Sequence, residues 1–555
     1  MTHSRTLKGA MMIGAYLLAT TMLTMPGQAL AEDRPEITVA VQQIVNAGAL
    51  DVLREQSNVG ARVFYSIFET LIDYDRQNAD LPQKPGLATE WKRIDDKTVE
   101  LKLRPGVKFH NGDVMTADDV VFTFSKERFG LLDEQDSARK DGKTLFTASA
   151  SAAVGGKVPP AEVAAVAKRA WPNLDRVEKV DDMTVRFVST VADPTLEGRI
   201  SRYGAEILSK RAYEEAESWL AFAQKPVGTG PYKVVEFKPD NILVLEAHDD
   251  YWGGTPPVKT LRFAVVPEVA SRVNGLLSGE YDFITDLPPD QINTVESNAA
   301  FEVVGGPITN HRLMVFDKNN GPMQNAKIRQ AMTHAIDRET IVETLWDGRT
   351  SVPAGLQWSY YGDMFLSDWT VPEYNVELAK KLVQESGYNG EEITFRVLNN
   401  YYTNQVSTAQ INAESFRQIG LNVKIEMKEN WQQIFDKESG PRMVRDWSNS
   451  APFPDPVSSI VNQHCQNGQQ QQVGEWTNEE FNALCIKLET STDLEERRAS
   501  FRRMLEIAER EDPAYTVLHQ SAIFFGKRKD IEWNWSGLQS MDFRAANFQV
   551  VAPGN

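Results

Sequence analysis

Residues 87–124, LATEWKRIDDKTVELKLRPGVKFHNGDVMTADDVVFTF, carry the densest structural signal in the chain. Thr98–Leu103 alternates apolar and polar side chains, the pattern of a half-buried strand. Arg104-Pro105-Gly106 is a turn, because proline fixes its own φ and glycine accepts a positive one. Val107–His110 reads as a second short strand and Asn111-Gly112 as another turn. Thr116 then N-caps a helix, with Asp119 three residues on as its acidic partner. Val120, Val121 and Phe124 give that helix an apolar face. Caps and turns are scaffold devices, so this segment speaks for a fold and carries no chemistry of its own.

Outward from it, the chain continues as punctuated strand. Val227–Tyr232 is a turn feeding a strand at Tyr232–Phe237, with Asn241–Ala247 as its hairpin partner. Leu261–Val266 is a buried-type strand. Ala270–Ser278 is a helix stopped by Gly279, and Tyr281–Thr285 the next strand. The second half alternates strands and longer helices: a strand at Leu313–Phe316, helices at Asn325–Ile336, Arg338–Leu345 and Val376–Glu385, a strand at Ile393–Leu398, a helix at Val406–Gln418 and a strand at Leu421–Lys428. That rhythm argues a second α/β domain. Leu494–Arg510 reads as one charged amphipathic helix before a strand at Ala514–His519. Gln469–Gln472 reads as a surface loop.

The ends and the composition set bounds. Arg5 and Lys8, the apolar run Ala10–Leu23 and Ala29-Leu30-Ala31 have the form of an export signal cleaved near Ala31. Removing Arg5 and Lys8 takes the formal net charge from −18 to about −20 over about 524 residues, enough for two or three domains. Such an acidic chain is a poor candidate for nucleic acid or anionic membranes. The two cysteines, Cys465 and Cys485, are most simply a disulfide in an oxidising compartment, worth roughly 3 kcal/mol in the chain-entropy picture; two separate buried thiols are the alternative. No cysteine near Ala31 offers a lipid anchor, which favours a free periplasmic protein. There is no G-x-S-x-G elbow, H-E-x-x-H, P-loop or Rossmann glycine pattern. The expectation is therefore no enzyme, no cofactor and no metal, and a monomer.

The opening segment resembles the signature of the extracellular solute-binding proteins of family 5, the peptide/nickel-binding receptors of ABC importers. Gly228-Thr229-Gly230-Pro231-Tyr232, Tyr251-Trp252, Asn325–Ile336 followed by Asp337-Arg338, and Glu511-Asp512-Pro513 stand where that family has them. The resemblance covers the chain from Glu32 to its end. It implies an α/β, two-lobed periplasmic binding protein of class II, cluster C type, with an extra subdomain inserted in lobe one. The implied boundaries are 1–31 signal peptide, 32–303 lobe one with the inserted subdomain at about 73–207, 304–520 lobe two, and 521–555 a return to lobe one. Glu302–Gly306 and His519–Ala522 become the hinge strands. The implied partners are a small-molecule or oligopeptide ligand and the permease subunits of an inner-membrane importer.

A receptor cleft replaces a ligand's hydration shell with fixed donors, acceptors and aromatic faces on loops near the hinge. Three clusters have that chemistry: Asn399, Asn400, Tyr401 and Tyr402 after a strand; Trp447, Ser448, Ser450 and Asp455 in a proline-rich stretch; and Trp358 with its neighbouring tyrosines. The second serves equally as a rigid loop packing Trp447 and Phe453, and for Trp358 simple packing is the more economical reading. Peptide-binding members of the family carry an aspartate three residues after the tryptophan matching Trp447, and dipeptide-binding members an arginine where Asn400 stands. Here the first position is Ser450. Both charged anchors of a dipeptide are then missing, with Asp455 the nearest substitute, and a neutral amide- or hydroxyl-rich solute fits better than a zwitterion. Sugar conjugates, opines and nickel complexes are the alternatives to peptide. His519, near the hinge, is the one histidine placed to serve nickel.

Overall fold

The computed structural model describes residues 34–131, 156–399 and 401–551. The export-signal reading of residues 1–31 lies outside them, as does Asn400. The central element is a ten-stranded mixed sheet. Two long antiparallel strands, Phe301–Phe316 and Tyr515–Arg528, run through its middle. On one side of this pair lie Val444–Ser450, Ile393–Leu398 and Val423–Lys428; on the other lie Phe283–Ile284, Glu36–Val41, Thr260–Val265, Ile242–Ala247 and Tyr232–Lys238. A separate four-stranded antiparallel sheet, Ala88–Arg93, Thr98–Leu103, Thr184–Ser189 and Leu174–Asp181, belongs to the first lobe.

Burial separates two bodies. One apolar core draws on residues 37–283 and again on Phe525, Ile531, Trp533, Met541, Phe543 and Phe548. Two others draw almost wholly on residues 313–518. The crossing strands serve both, and their register shifts between Pro307 and His311, where the sheet passes from one lobe to the other. Gly305 adopts a φ of +137°, and a Cβ there would lie 2.1 Å from the Ile523 carbonyl oxygen, so only glycine lets the partner strand approach.

Several family landmarks are structural ties. Asp119 accepts the Thr116 N–H at 2.9 Å and the Lys210 N–H at 3.0 Å. Asp512 pairs with Arg329 and Lys318, and Arg338 donates to the Val517 carbonyl at 2.7 Å and the Thr516 hydroxyl at 2.8 Å. These bonds fix the helices Ala326–His334 and Arg338–Trp346 to the crossing strand. Cys465 and Cys485 sit with Cα atoms 6.1 Å apart and their sulfurs joined. Among the described residues no helix is long and apolar enough to cross a membrane.

Five expectations need correction. Val107–His110 is not a strand; it folds on itself, with Phe109 bonded to Asp113 and Met115 to Val107, and makes only an isolated bridge at Lys108. Leu313–Phe316 and Ala514–His519 are ends of far longer strands, because the chain crosses the hinge without leaving the sheet. Trp447–Ser450 is strand, paired with Asn310–Leu313, not loop. Gln469–Gln472 is a helical turn whose Gln470 is buried and donates to the Phe316 and Ala514 carbonyls. The helix from Leu494 ends at Leu505 and widens into a π turn, which aims Glu509 inward to accept from Leu356, Trp369 and Tyr515.

Candidate functional site

A cavity of about 1010 Å³ lies between the lobes, at the upper end of the usual range for small-ligand sites, roughly 300–1,000 Å³. Its lobe-two wall holds six of the expected residues: Asn399, Tyr401, Tyr402, Trp447, Ser448 and Ser450. The strands put them there. Ile393–Leu398 is buried along its whole length and releases the chain at Asn399, directly over the cleft. The loop is then pinned by Gln405, whose Oε1 accepts the N–H groups of Tyr401 and Tyr402 at 3.1 and 3.0 Å. The Gln405 amide donates to Asp446 at 2.6 Å, and Asp446 also takes the Arg312 guanidinium. Burial pushes the Asp446 carboxyl up, and Arg312 opposes this. Arg312 lies 3.4 Å from the Tyr402 ring centre, a cation–π contact that fixes the ring.

Tyr401, Tyr402, Trp431 and Trp447 form an aromatic corner by edge-to-face contacts, with centroids 4.6 Å apart for the two tyrosines and 4.7 Å for the two tryptophans. Next to it the polar atoms line up. The Tyr402 and Ser448 hydroxyls are 3.0 Å apart, and Ser450 Oγ accepts from Asn310 at 2.8 Å. Asn449 lines the same cavity with a buried Nδ2 that bonds to nothing among the described residues.

The lobe-one wall was not foreseen. It comes from the segment Gln43–Asn58, from the helix Asn58–Ile67 and from residues 68–81, 169 and 201–206. Glu55 accepts the N–H groups of Asn46, Ala47 and Ser57 at 2.7, 2.7 and 3.0 Å, which folds that segment into the wall. Glu69 lies deeper, where two family landmarks converge: it accepts from Thr229 at 2.9 Å, Tyr251 at 2.7 Å and Trp252 at 2.9 Å. Burial pushes its carboxyl up and these donors pull it back. Arg76, Arg169, Arg202 and Glu206 bring charge to the same wall.

The walls meet at the rim. Gln42 donates to the Tyr401 carbonyl at 2.7 Å, and Asn58 to Ser448 at 3.3 Å. Arg199 of lobe one pairs with Glu489 of lobe two at 2.8 Å.

Three expected residues stand elsewhere. Asp455 is consumed by Arg497, whose Nη2 reaches both its oxygens at 2.8 and 2.7 Å, and by the Val457 N–H. It does not line the cavity and supplies no anchor for an ammonium group. Trp358 stacks on His311 at 4.1 Å and lines a neighbouring hollow of about 480 Å³ beside the hinge. His519 is 1% exposed, bonds to the Gln520 carbonyl and packs on Trp346, and burial holds its imidazole down at about 3; it is absent from the cavity lining. Among the described residues no group of three His, Cys, Asp or Glu is arranged to hold a metal ion.

Residues 83–469 match the bacterial extracellular solute-binding proteins, family 5, middle region. The heme-binding protein A of Haemophilus influenzae is 26% identical over 478 residues, covering 82% of this chain and 81% of its own. The dipeptide-binding protein of Escherichia coli is 24% identical over 470 residues, covering 81% and 83%. Among solved structures, the dipeptide-binding protein of Pseudoalteromonas sp. SM9913 in complex with Met-Leu is similar with a TM-score of 0.77 at 22% identity, covering 92% of this chain and 100% of that one. At that identity the likeness speaks for the fold and not for the ligand.

Proposed function

The chain belongs to the bacterial extracellular solute-binding proteins, family 5, and we propose on that footing that it is the periplasmic receptor of an ABC importer. It captures a peptide or peptide-like solute between its lobes and delivers it to the membrane permease. The observation that carries this reading is the cavity itself, walled from both lobes by fixed aromatic and polar side chains beside two crossing strands. Closure of the lobes on a solute is the signal a permease reads. Lobe one at 32–303, its subdomain at about 73–207, lobe two at 304–520 and the return at 521–555 follow from the same reading. So do a mature start at Glu32, a Cys465–Cys485 disulfide, a monomer and the lack of catalysis.

A second reading keeps the receptor role and changes the solute to a non-peptide compound, such as a sugar conjugate or an opine. It is favoured by Ser450 and by the commitment of Asp455 to Arg497, which leave neither position with a free carboxylate for a peptide ammonium. A thermal-shift screen of the mature protein against di- to pentapeptides, oligosaccharides, opines and nickel chelates separates the two. Solute at a hundred times its Kd stabilises the folded state by about 2.7 kcal/mol. A shift with peptides supports the first reading and a shift with non-peptides alone the second. No shift with any solute, together with turnover of one of them, overturns both.

A further inference from the structure

On the lobe-two side the acid that lines the cleft is Glu429, exposed and bonded by Gln433 at 3.4 Å, and the cationic side chains that line it come from lobe one. Arg202, just after the helix Leu196–Ile200, is 5% exposed and lines the cavity. Its Nε donates to the Tyr203 carbonyl at 3.1 Å, while its Nη1 is buried and bonds to nothing among the described residues. Arg169, at the end of the helix Ala161–Ala170, lines the same cavity and has no hydrogen bond or ion pair among the described residues.

Other charges nearby are already matched. Arg76 pairs with Asp73 at 2.8 Å, and Arg199 with Asp193 at 3.1 Å and Glu489 at 2.8 Å. The acid that faces Arg202 is Glu206. Its Oε2 accepts the Gly204 N–H at 2.7 Å, and it forms no ion pair with either arginine. Burial lifts the Glu206 carboxyl to about 7, so at neutral pH it supplies only part of a counter-charge. Burial pulls Arg202 down to about 9, with Arg199 and Arg169 repelling it and Glu206 opposing them, and burial pulls Arg169 down to about 10. A guanidinium taken out of water without an anion is among the costliest groups a protein can hold. Its planar fork matches a carboxylate in two parallel bonds.

We propose that the solute of this cleft is an acid, and that Arg202, with Arg169 beside it, receives its carboxylate from the lobe-one side. The proposal rests on the receptor reading above. It reverses the neutral ligand expected from Ser450 and the Asn400 position: the charge missing from lobe two stands on the opposite wall. The aromatic corner and Asn449 then hold the body of the molecule. Specificity comes from the acid group, because an amide or ester in its place leaves the arginine unmatched.

The test uses the mature protein and a library of acid–amide pairs: acidic dipeptides, N-acyl amino acids and dicarboxylates, each with its carboxamide twin. Titration calorimetry is run on wild type and on Arg202→Gln, with Arg169→Gln as the second variant should the first fold poorly. The expected result is binding of acids at least ~100-fold tighter than of their amides in wild type, collapsing to within about threefold in the variant. Acid and amide bound alike, or any solute bound equally by wild type and variant, overturns the proposal and leaves the receptor reading intact. If no pair binds either protein, the receptor reading fails for this library, and the melting point of unliganded Arg202→Met decides the proposal separately. An uncompensated guanidinium makes that variant melt higher than wild type; equal or lower melting shows that the chain already neutralises Arg202 and overturns the assignment.

Discussion

Glu489→Gln isolates an ion pair that joins lobe one to lobe two. In the arrangement described here Arg199 is 2% exposed at its side chain and Glu489 13%, with 2.8 Å between them. Losing one partner of a lone buried pair costs about 3–5 kcal/mol. Arg199 is not left alone, however: Asp193 remains at 3.1 Å, Thr195 Oγ1 at 3.2 Å and the Ala170 carbonyl at 2.9 Å. The loss is therefore that of one charge-assisted bond, about 1.5–3 kcal/mol. It falls on the closed arrangement alone, since opening the lobes returns Glu489 to water. Closure and solute binding are linked, so the Kd of any solute held between the lobes rises about 10- to 150-fold. Titration calorimetry with the strongest hit of the thermal-shift screen measures this directly. A steric counterpart is Gly198→Leu, because a Cβ at 198 would already lie 2.7 Å from Phe453 Cδ2 in the other lobe. A Kd unchanged within threefold in both variants would refute the claim that this contact belongs to the ligand-holding state.

Other expectations follow from the same bookkeeping. Glu206 has its folded carboxyl at about 7, above the 4.5 of the free side chain; between those values the folded state binds more protons, so its contribution falls as pH rises from about 4.5 to 7 and is flat above. In urea unfolding, the stability gap between wild type and Glu206→Gln is expected to change by roughly 3 kcal/mol in total across that window, and parallel profiles would count against it. Glu69→Gln sets an amide donor among three donors and is expected to cost about 1–3 kcal/mol in urea; an unchanged midpoint would mean that Thr229, Tyr251 and Trp252 do not depend on it. Reducing Cys465–Cys485 is expected to lower stability by roughly 3 kcal/mol, read from urea curves with and without reductant, and coincident curves would show that no bond had formed.

The match between sequence and structure is closest where a local pattern decides the outcome. Thr98–Leu103 alternates and its Val99, Leu101 and Leu103 are buried; Thr116 and Asp119 form the helix start they announce; Ile393–Leu398 has the bounds its apolar run gives. The lobe-two wall was legible for the same reason, because paired Asn and Tyr after a buried strand have few places to go. Trp447–Ser450 was misread as loop since Asp446, Asn449 and the prolines that follow are poor strand formers, and only pairing with Asn310–Leu313 overrides them. Asp455 was misjudged because its partner Arg497 lies 42 residues away, and nothing local points to it. The lobe-one wall depends on contacts between Gln43–Asn58, the subdomain and the far end of the chain. Arg169 and Arg202 carry no motif; the only signal was an arginine set among Ile200, Tyr203 and other apolar neighbours.

The chain's last described stretch packs Phe525, Ile531, Trp533, Met541, Phe543 and Phe548 into the core of the first lobe. A ribosome therefore finishes lobe two before it can finish lobe one, although lobe one was begun first. Without those residues the N-terminal half lacks six apolar side chains of its own core. Domains usually mature in the order of synthesis; this connectivity ties the core of the leading half to residues that follow lobe two.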